Sequence, residues 1–139
     1  ALEIPDNRQH DSYLNLPLDE MMLHIQKAIE NGHPVCWEGD ISEEGFIHAK
    51  DNYVDISKNE RPVTPTSRQE EFEQLRTTDD HVMEIIGTFL KDEQRYYVCR
   101  NSAGKIWGNQ GLIYLSEDYL RLKTIAVFMS EEAFLFDRK

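Results

Sequence analysis

The chain has 139 residues, of which 40% are hydrophobic and 29% charged. This length is typical of one domain with a substantial core, and we expect residues 1–139 to form it. The formal net charge is −11, and such an acidic surface repels the phosphates of nucleic acids and anionic lipids, so neither is an expected partner. Two cysteines are too few for a disulfide scaffold, and no apolar segment approaches the length of a membrane span.

The N-terminal segment "ALEIPDNR" has neither an initiator Met nor the basic start and apolar stretch of a signal peptide. It indicates a chain cut from a longer protein, which leaves the compartment open between cytoplasm and export. Residues 1–17, which contain Pro5 and Pro17, predict an extended lead-in.

Two segments predict helices. The first, "LDEMMLHIQKAIENG", has apolar residues at helical spacing and ends at "NG"; the apolar positions are Leu18, Met22, Ile25 and Ile29. The second, "SRQEEFEQLR", predicts a short helix capped by Ser67, with Glu70 as its capping-box partner. Between them "DISEEGF" predicts a turn, and residues 57–66, with two prolines, predict a loop.

Strand patterns dominate the rest of the chain. "HPVCWEG" and "NYVDIS" predict short strands, and "HVMEIIGTFL" and "RYYVCRN" predict a hairpin joined by "KDEQ". "GLIYLS" and "TIAVFMS" predict two more strands, with "EDYLRLK" as a short helical or irregular link. The expected fold class is therefore α+β, with a helix and irregular loops leading into an antiparallel sheet.

His81 and Asn101 lie at opposite ends of the predicted hairpin, because His81 opens one strand and Asn101 closes the next. In an antiparallel pair these two positions are neighbours. An asparagine oxygen that accepts the proton of one imidazole nitrogen would fix the tautomer that a general base needs. Plain packing is the alternative interpretation of such a pair.

The wider sequence resembles a known family. "TTDDHVMEIIG" resembles the histidine motif of papain-like cysteine peptidases, and "YYVCRNSAG…WGNQGLIYLS" resembles their asparagine motif. Similarity to bacterial members of the bleomycin hydrolase/aminopeptidase C branch runs nearly end to end, through "LEIPDNR", "NLPLDEMM", "GHPVCWEGDISEEGF", "VTPTSRQEEFEQLRTTDDH" and "SEDYLRLKTIAVFMSEEA". The resemblance implies a papain-like C-terminal half, an antiparallel, barrel-like sheet preceded by a helix.

The resemblance also implies roles for the pair. His81 would be the catalytic histidine and Asn101 the residue that orients it, while a cysteine thiolate attacks a peptide carbonyl. The expected substrate is a peptide trimmed from its N-terminus, and no cofactor or metal is expected. The resemblance gives Asp80 no catalytic role, and a polar residue at a strand start is the simpler interpretation.

Cys36 is the nearest candidate nucleophile, because "CW" resembles the nucleophilic cysteine and following aromatic residue that end the papain-type motif Cys–Gly–Ser/Ala–Cys–Trp/Tyr. Against it, Pro34 and Val35 replace the expected Gly and Ser/Ala, and a β-type segment replaces the helix start. Cys36 precedes His81 by only 45 residues, where about 130–150 are expected. We therefore predict that Cys36 and Cys99 are core thiols, and that the nucleophile lies upstream in a missing half of the same protein. The isolated chain is predicted to be inactive.

One departure from the family supports a second hypothesis. Family members read Asn–Ser–Trp–Gly, whereas this chain has "NSAG", with Ala103 in place of the tryptophan that shields the His–Asn bond. Either Trp107 shields the pair instead, or the protein is a non-catalytic relative that binds peptides or has a structural role. A metal site at Asp79 and His81 lacks further ligands at useful spacing. Oligomers are possible, and an isolated half would expose apolar surface and could self-associate.

Overall fold

The computed structural model describes residues 13–134, so most of the predicted lead-in lies outside the described residues. The helices are α1 (Leu18–Glu30), α2 (Glu44–Ile47), α3 (Pro65–Glu73), α4 (Glu117–Lys123) and α5 (Glu131–Phe134), with a single 3-10 turn at Lys58–Glu60. The strands are β1 (Val35–Gly39), β2 (Tyr53–Val54), β3 (His81–Lys91), β4 (Gln94–Arg100), β5 (Leu112–Ser116) and β6 (Thr124–Phe128). Within residues 13–134, no helix is both long and apolar enough to cross a bilayer.

All six strands form one sheet in the order β2-β5-β4-β3-β1-β6. Neighbouring strands are antiparallel except for the short parallel pair of β2 and β5. β3 and β4 form the predicted hairpin at the centre of the sheet, with Glu84 opposite Arg100. The predicted α+β class is confirmed.

The core lies between one face of this sheet and the helices. Alternate strand residues point to this face, as the period of two requires, and Trp37, Ile85 and Leu115 are fully buried there. From the helix side, Ile25 of α1 and Leu120 of α4 pack into the same cluster. Burial of each such large apolar side chain contributes roughly 1.5–3 kcal/mol before cavity and strain effects.

Helix α1 begins at Leu18, as predicted, and ends at Glu30, directly before the predicted stop "NG". Its apolar stripe faces the sheet, with Ile25 fully buried and Ile29 partly buried against the core. The chain leaves the helix through Asn31 and Gly32, and Gly32 has φ +81°, a conformation that glycine adopts without strain.

Two local predictions need correction. Helix α3 begins at Pro65 and is capped by Thr64, whose hydroxyl accepts from the Ser67 amide at 3.1 Å. Ser67 is therefore the third helical residue, and Glu70 is not the capping-box partner. The difference arises because Pro65, in the proline-containing segment that predicts a loop, instead occupies the first helical position, where proline is favoured. The predicted turn "DISEEGF" overlaps the single helical turn α2, which extends one residue beyond it to Ile47.

The connection of the central hairpin is shorter than predicted. Only Asp92 and Glu93 separate β3 from β4, with φ angles of 49° and 64°. Two consecutive residues of positive φ are typical of the type I′ turn that matches strand twist. Since neither residue is glycine, the usual signal for this turn is absent, and the pattern predicted a four-residue connection.

Asp55 organises the far end of the sheet. Its carboxylate accepts hydrogen bonds from the Arg61 guanidinium at 2.6 Å, from Gln94 at 3.1 Å and from the Ser116 hydroxyl at 2.6 Å. Burial raises the pKa of this carboxyl, but the hydrogen bonds from Ser116, Arg61 and Gln94 outweigh burial and hold the pKa below its usual value.

This lowered pKa predicts part of the acid sensitivity. A carboxyl whose pKa is lower in the folded state stabilises fully above its unfolded pKa of about 4, and the contribution disappears as pH falls through the folded value. We expect Asp55→Asn to flatten the fall in the free energy of unfolding below about pH 4, measured by urea unfolding across pH. The exposed Asp51, changed to Asn, is the control and should keep the wild-type slope. An unchanged slope in Asp55→Asn would contradict this assignment.

Candidate functional site

The two residues singled out by the sequence meet in the structure. His81 is the first residue of β3, and Asn101 directly follows the last residue of β4. Because the strands are antiparallel neighbours, these ends adjoin. The imidazole Nε2 lies 3.0 Å from the Asn101 Oδ1, and both side chains are half-buried. The predicted contact is therefore present, while its catalytic role stays a prediction.

A backbone amide fixes the direction of this hydrogen bond. The Ser102 N–H donates to the Asn101 Oδ1 at 2.8 Å. Since an amide N–H can only donate, the atom that faces it must be the oxygen. The same oxygen faces His81, so the imidazole Nε2 must carry the hydrogen. In the neutral ring, the lone pair is therefore on Nδ1.

Nδ1 is available for chemistry. Within the described residues 13–134, the His81 ring makes one hydrogen bond, from Nε2 to Asn101, and Nδ1 makes none. The ring can thus take a proton at Nδ1 and release it there while Asn101 keeps its orientation. This is the arrangement that general acid–base catalysis requires.

β1 places a glycine opposite the histidine. Gly39 is the register partner of His81, and the Asp80 amide donates to the Gly39 carbonyl at 3.4 Å. A Cβ at Gly39 would lie 2.3 Å from the Trp37 ring and 2.4 Å from the Lys123 carbonyl oxygen. Any larger residue would therefore clash with the buried Trp37 ring and with the backbone at the end of α4.

Asp80 occupies the strand start, as the simpler interpretation expected. Its carboxylate accepts from the Ile41 amide at 2.9 Å and lies 3.3 Å from the Thr78 hydroxyl. These contacts join the segment after β1 to the segment before β3.

Cys36 is not the core thiol that the sequence predicted. It lies on β1 between the buried Val35 and Trp37, so alternation turns its side chain to the other face, where it is half-buried. Burial, and then the charges of Glu38 and Glu84, raise the pKa of its thiol, which opposes thiolate formation. It is also three residues, or about 10 Å, along β1 from the partner of His81. Cys36 is not placed to act with His81.

Cys99 is the buried thiol that was predicted. It is fully buried on β4, and this burial raises the pKa of its thiol far above the usual range. A thiol in this position stays protonated and out of reach of a substrate.

The position of the missing tryptophan is exposed. Ala103 lies in the turn after Asn101 and is exposed. The Trp107 ring stacks on Phe46 of α2 with centroids 6.4 Å apart. Shielding of the His–Asn bond by Trp107 stays a prediction.

Asp79 pairs with another carboxyl beside the site. Burial, the charge of Asp79 and a hydrogen bond shared with Asp79 raise the pKa of Glu38, whose register partner Val82 adjoins His81. Within the described part of the chain, no group of three or more His, Cys, Asp or Glu is placed to hold a metal ion.

Sequence reasoning missed a buried cation near the site. Lys123 is 1% exposed, and its ammonium lies 2.8 Å from Glu43, 3.1 Å from Glu71 and 3.0 Å from the Arg76 carbonyl. The available signal was a charged residue in the apolar run "LRLKTIAV". Its partners are 47–80 residues away in sequence, so no local pattern could identify them.

Comparison with known proteins identifies the fold. No protein-family model and no curated protein matches the chain. The crystal structure of PepW from Lactobacillus rhamnosis HN001 is similar, with a TM-score of 0.69 and 20% identity over 86% of this chain. A structure from a study of antibody cross-reactivity between the mite allergens Blo t 1 and Der p 1 has a TM-score of 0.49 and 19% identity, and covers 81% of this chain.

The chain spans 28% of the PepW structure and 31% of the mite allergen structure. Its six-stranded sheet with helices packed on one face matches the C-terminal part of papain-like folds. The fold class of this chain is therefore α+β, of the papain-like C-terminal kind.

Proposed function

We propose that this chain is the half of a papain-like cysteine peptidase that supplies the histidine and the asparagine. The observation that carries the proposal is the bond from His81 Nε2 to Asn101 Oδ1, which leaves Nδ1 free at the end of a papain-like sheet. The sequence resemblance supports an aminopeptidase C/bleomycin hydrolase-like enzyme, which hydrolyses peptide bonds from N-termini. The nucleophile would come from a preceding half of the same protein.

The geometry supports the following roles for the pair within this proposal. In the resting site, the partner cysteine gives its proton to His81 Nδ1, which forms a thiolate–imidazolium pair. The thiolate attacks the peptide carbonyl, and Nδ1 returns the proton to the leaving amine. Water, deprotonated at Nδ1, then releases the acyl group from sulfur. Throughout, Asn101 Oδ1 accepts from Nε2 and prevents rotation of the ring.

The surface away from the helices suits a partner. Val82 adjoins His81 and is 51% exposed, and Phe128 at the β6 edge is 46% exposed. Exposed apolar side chains on the face opposite the helical layer favour coverage by another domain. We propose that the nucleophile-bearing half covers this face, which accounts for the expected self-association of the isolated chain.

A thiol-directed epoxide inhibitor tests the proposal. It should modify the full protein at a single cysteine of the preceding half and abolish peptide hydrolysis. The isolated chain should stay unmodified, because the pKa values of Cys36 and Cys99 are raised. Modification of Cys36 in the isolated chain, or of no cysteine in the full protein, would contradict the proposal.

The second candidate is a non-catalytic relative on the same fold, which would bind peptides or have a structural role. The exposed Ala103 favours it, since a bond open to water contributes less. A Ser, Ala or Gly at the nucleophile position of the preceding half, together with peptide binding without hydrolysis, would support this candidate over the first.

A further inference from the structure

A buried carboxylate outside the catalytic pair holds the segment that leads to His81. Asp40 follows the last residue of β1 and is 1% exposed. One of its oxygens accepts from the Ser42 amide at 2.8 Å and hydroxyl at 3.0 Å. The other accepts from the Thr78 amide at 2.7 Å and hydroxyl at 3.1 Å. Both oxygens must therefore act as acceptors.

Asp40 is itself fixed to the core. Its amide donates to the Lys123 carbonyl at 3.1 Å, and its carbonyl accepts from the Tyr119 hydroxyl at 2.8 Å. Tyr119 and Lys123 belong to α4 and are 1% exposed. The carboxylate of Asp40 thus connects a rigid part of the core to the approach to β3.

The approach has a few other connections, among them the bond from the Ile41 amide to the Asp80 carboxylate at 2.9 Å. Residues 77–80 form neither helix nor strand, and their backbone is tied by the Thr77 amide to Glu71 at 3.1 Å and by the Asp80 amide to Gly39 at 3.4 Å. The bond from the Thr78 amide to Asp40, at 2.7 Å, is the shortest of these ties. Thr78 lies three residues before His81 in the sequence.

We propose that Asp40 is a positioning residue of the site, which sets the start of β3 so that His81 Nε2 meets Asn101 Oδ1. The importance of Asp40 for catalysis rests on the proposed function. Its effect on the orientation of the His81 ring does not, and can be measured without any activity. Asp40 touches neither His81 nor a substrate. It acts through the backbone of Thr78 and the residues that follow.

Asp40→Asn tests this role in the chain alone. The Ser42 and Thr78 amides can only donate, and an asparagine offers one oxygen, so one amide loses its acceptor. We expect the His81 Nε2 hydrogen to exchange with water about tenfold faster, since an orienting hydrogen bond is weakened. The ring ¹⁵N shifts should show a smaller share of the Nε2–H tautomer. Both are measured by NMR.

Asp55→Asn is the matched control. Asp55 has a comparable set of hydrogen bonds, including one from Gln94. Gln94 lies opposite Lys91, ten residues along β3 from His81. A general loss of stability would therefore affect both variants, whereas only Asp40→Asn should change the His81 ring.

Thr78→Val is a milder variant in case Asp40→Asn does not fold. It keeps the bond from the Thr78 amide to Asp40 and removes only the hydroxyl contacts with Asp40 and, more weakly, Asp80, so the same change in exchange should be smaller, about threefold. The proposal would be overturned if Asp40→Asn and Thr78→Val both showed the same exchange rate of the His81 Nε2 hydrogen, and the same share of the Nε2–H tautomer, as Asp55→Asn. In the full protein, Asp40→Asn should lower kcat and leave KM within about twofold. The NMR measurement does not depend on catalysis. If the wild-type full protein had no peptidase activity, that result would therefore count against the proposed function and not against the positioning role of Asp40.

Discussion

Replacement of His81 by alanine is expected to lower the kcat/KM of the full protein for peptide hydrolysis by about 10³-fold or more. On the proposed function, the variant removes the group that takes the proton of the cysteine and protonates the leaving amine, and general acid–base catalysis contributes roughly 10²–10⁴-fold by itself. Steady-state assays with an aminoacyl substrate measure the loss. A loss below about tenfold would mean that another group carries the proton.

Asn101→Ala should have a smaller effect of the same kind. It leaves the imidazole in place but removes the acceptor at 3.0 Å from Nε2, which costs about 1–2 kcal/mol, or about tenfold in kcat. His24→Ala is a matched control, because this histidine stacks on Phe134 of α5 at 4.4 Å and is remote from the pair in sequence. Its kcat/KM should stay within about twofold of wild type.

Replacement of Lys123 by methionine is expected to lower the free energy of unfolding by about 3–5 kcal/mol, because it leaves the carboxylates of Glu43 and Glu71 without their shared cation. The side-chain volume is similar, so the loss reports the charge rather than a cavity. Urea unfolding followed by circular dichroism measures the change.

Arg121→Met is the control on the same helix. Arg121 pairs with Asp19, whose side chain is 84% exposed, and exposed pairs contribute roughly 0–1 kcal/mol.

The Lys123→Met variant should change the pH dependence of stability through Glu71. Burial raises the pKa of Glu71, but hydrogen bonds from Arg76 and Lys123 outweigh burial and lower it. This contribution is present above the unfolded pKa and lost as pH falls, so Lys123→Met should also weaken the pH dependence near pH 4. Equal losses in Lys123→Met and Arg121→Met would contradict the assignment of Lys123 as the buried cation shared by Glu43 and Glu71.

The sequence predicted the elements whose signals are local. The apolar spacing in α1 and the stop at Gly32 predicted that helix, and alternation predicted the central hairpin. From the hairpin alone, the meeting of His81 and Asn101 could be predicted, since antiparallel pairing brings those strand ends together.

The wrong predictions concern signals that compete or act at a distance. Apolar neighbours indicated a core position for Cys36, but the period of two places it on the opposite face from Val35 and Trp37. The cap of α3 was misplaced because Thr64 and Ser67 are both good caps, and the proline between them decides in favour of Thr64.

The polar framework behind the pair was beyond sequence reasoning. Asp40 and Thr78 are 38 residues apart, and Lys123 is 80 residues from Glu43. Charged residues are usually exposed, so only the folded chain shows that Asp40 and Lys123 are buried.

The most direct test of the central claim is the alkylation rate of the nucleophilic thiol in the full protein, measured with iodoacetamide at pH 6. Cys36→Ser and Cys99→Ser in the background confine the reaction to thiols of the proposed preceding half. If His81 forms an ion pair with the nucleophilic thiol, this thiol is a thiolate at pH 6 and reacts rapidly with iodoacetamide. An ordinary thiol, of pKa about 8.5, is protonated at that pH and reacts slowly. His81→Ala should then slow the reaction by about 10²-fold. An equal rate in both proteins would contradict the assignment of His81 as the partner of the nucleophile.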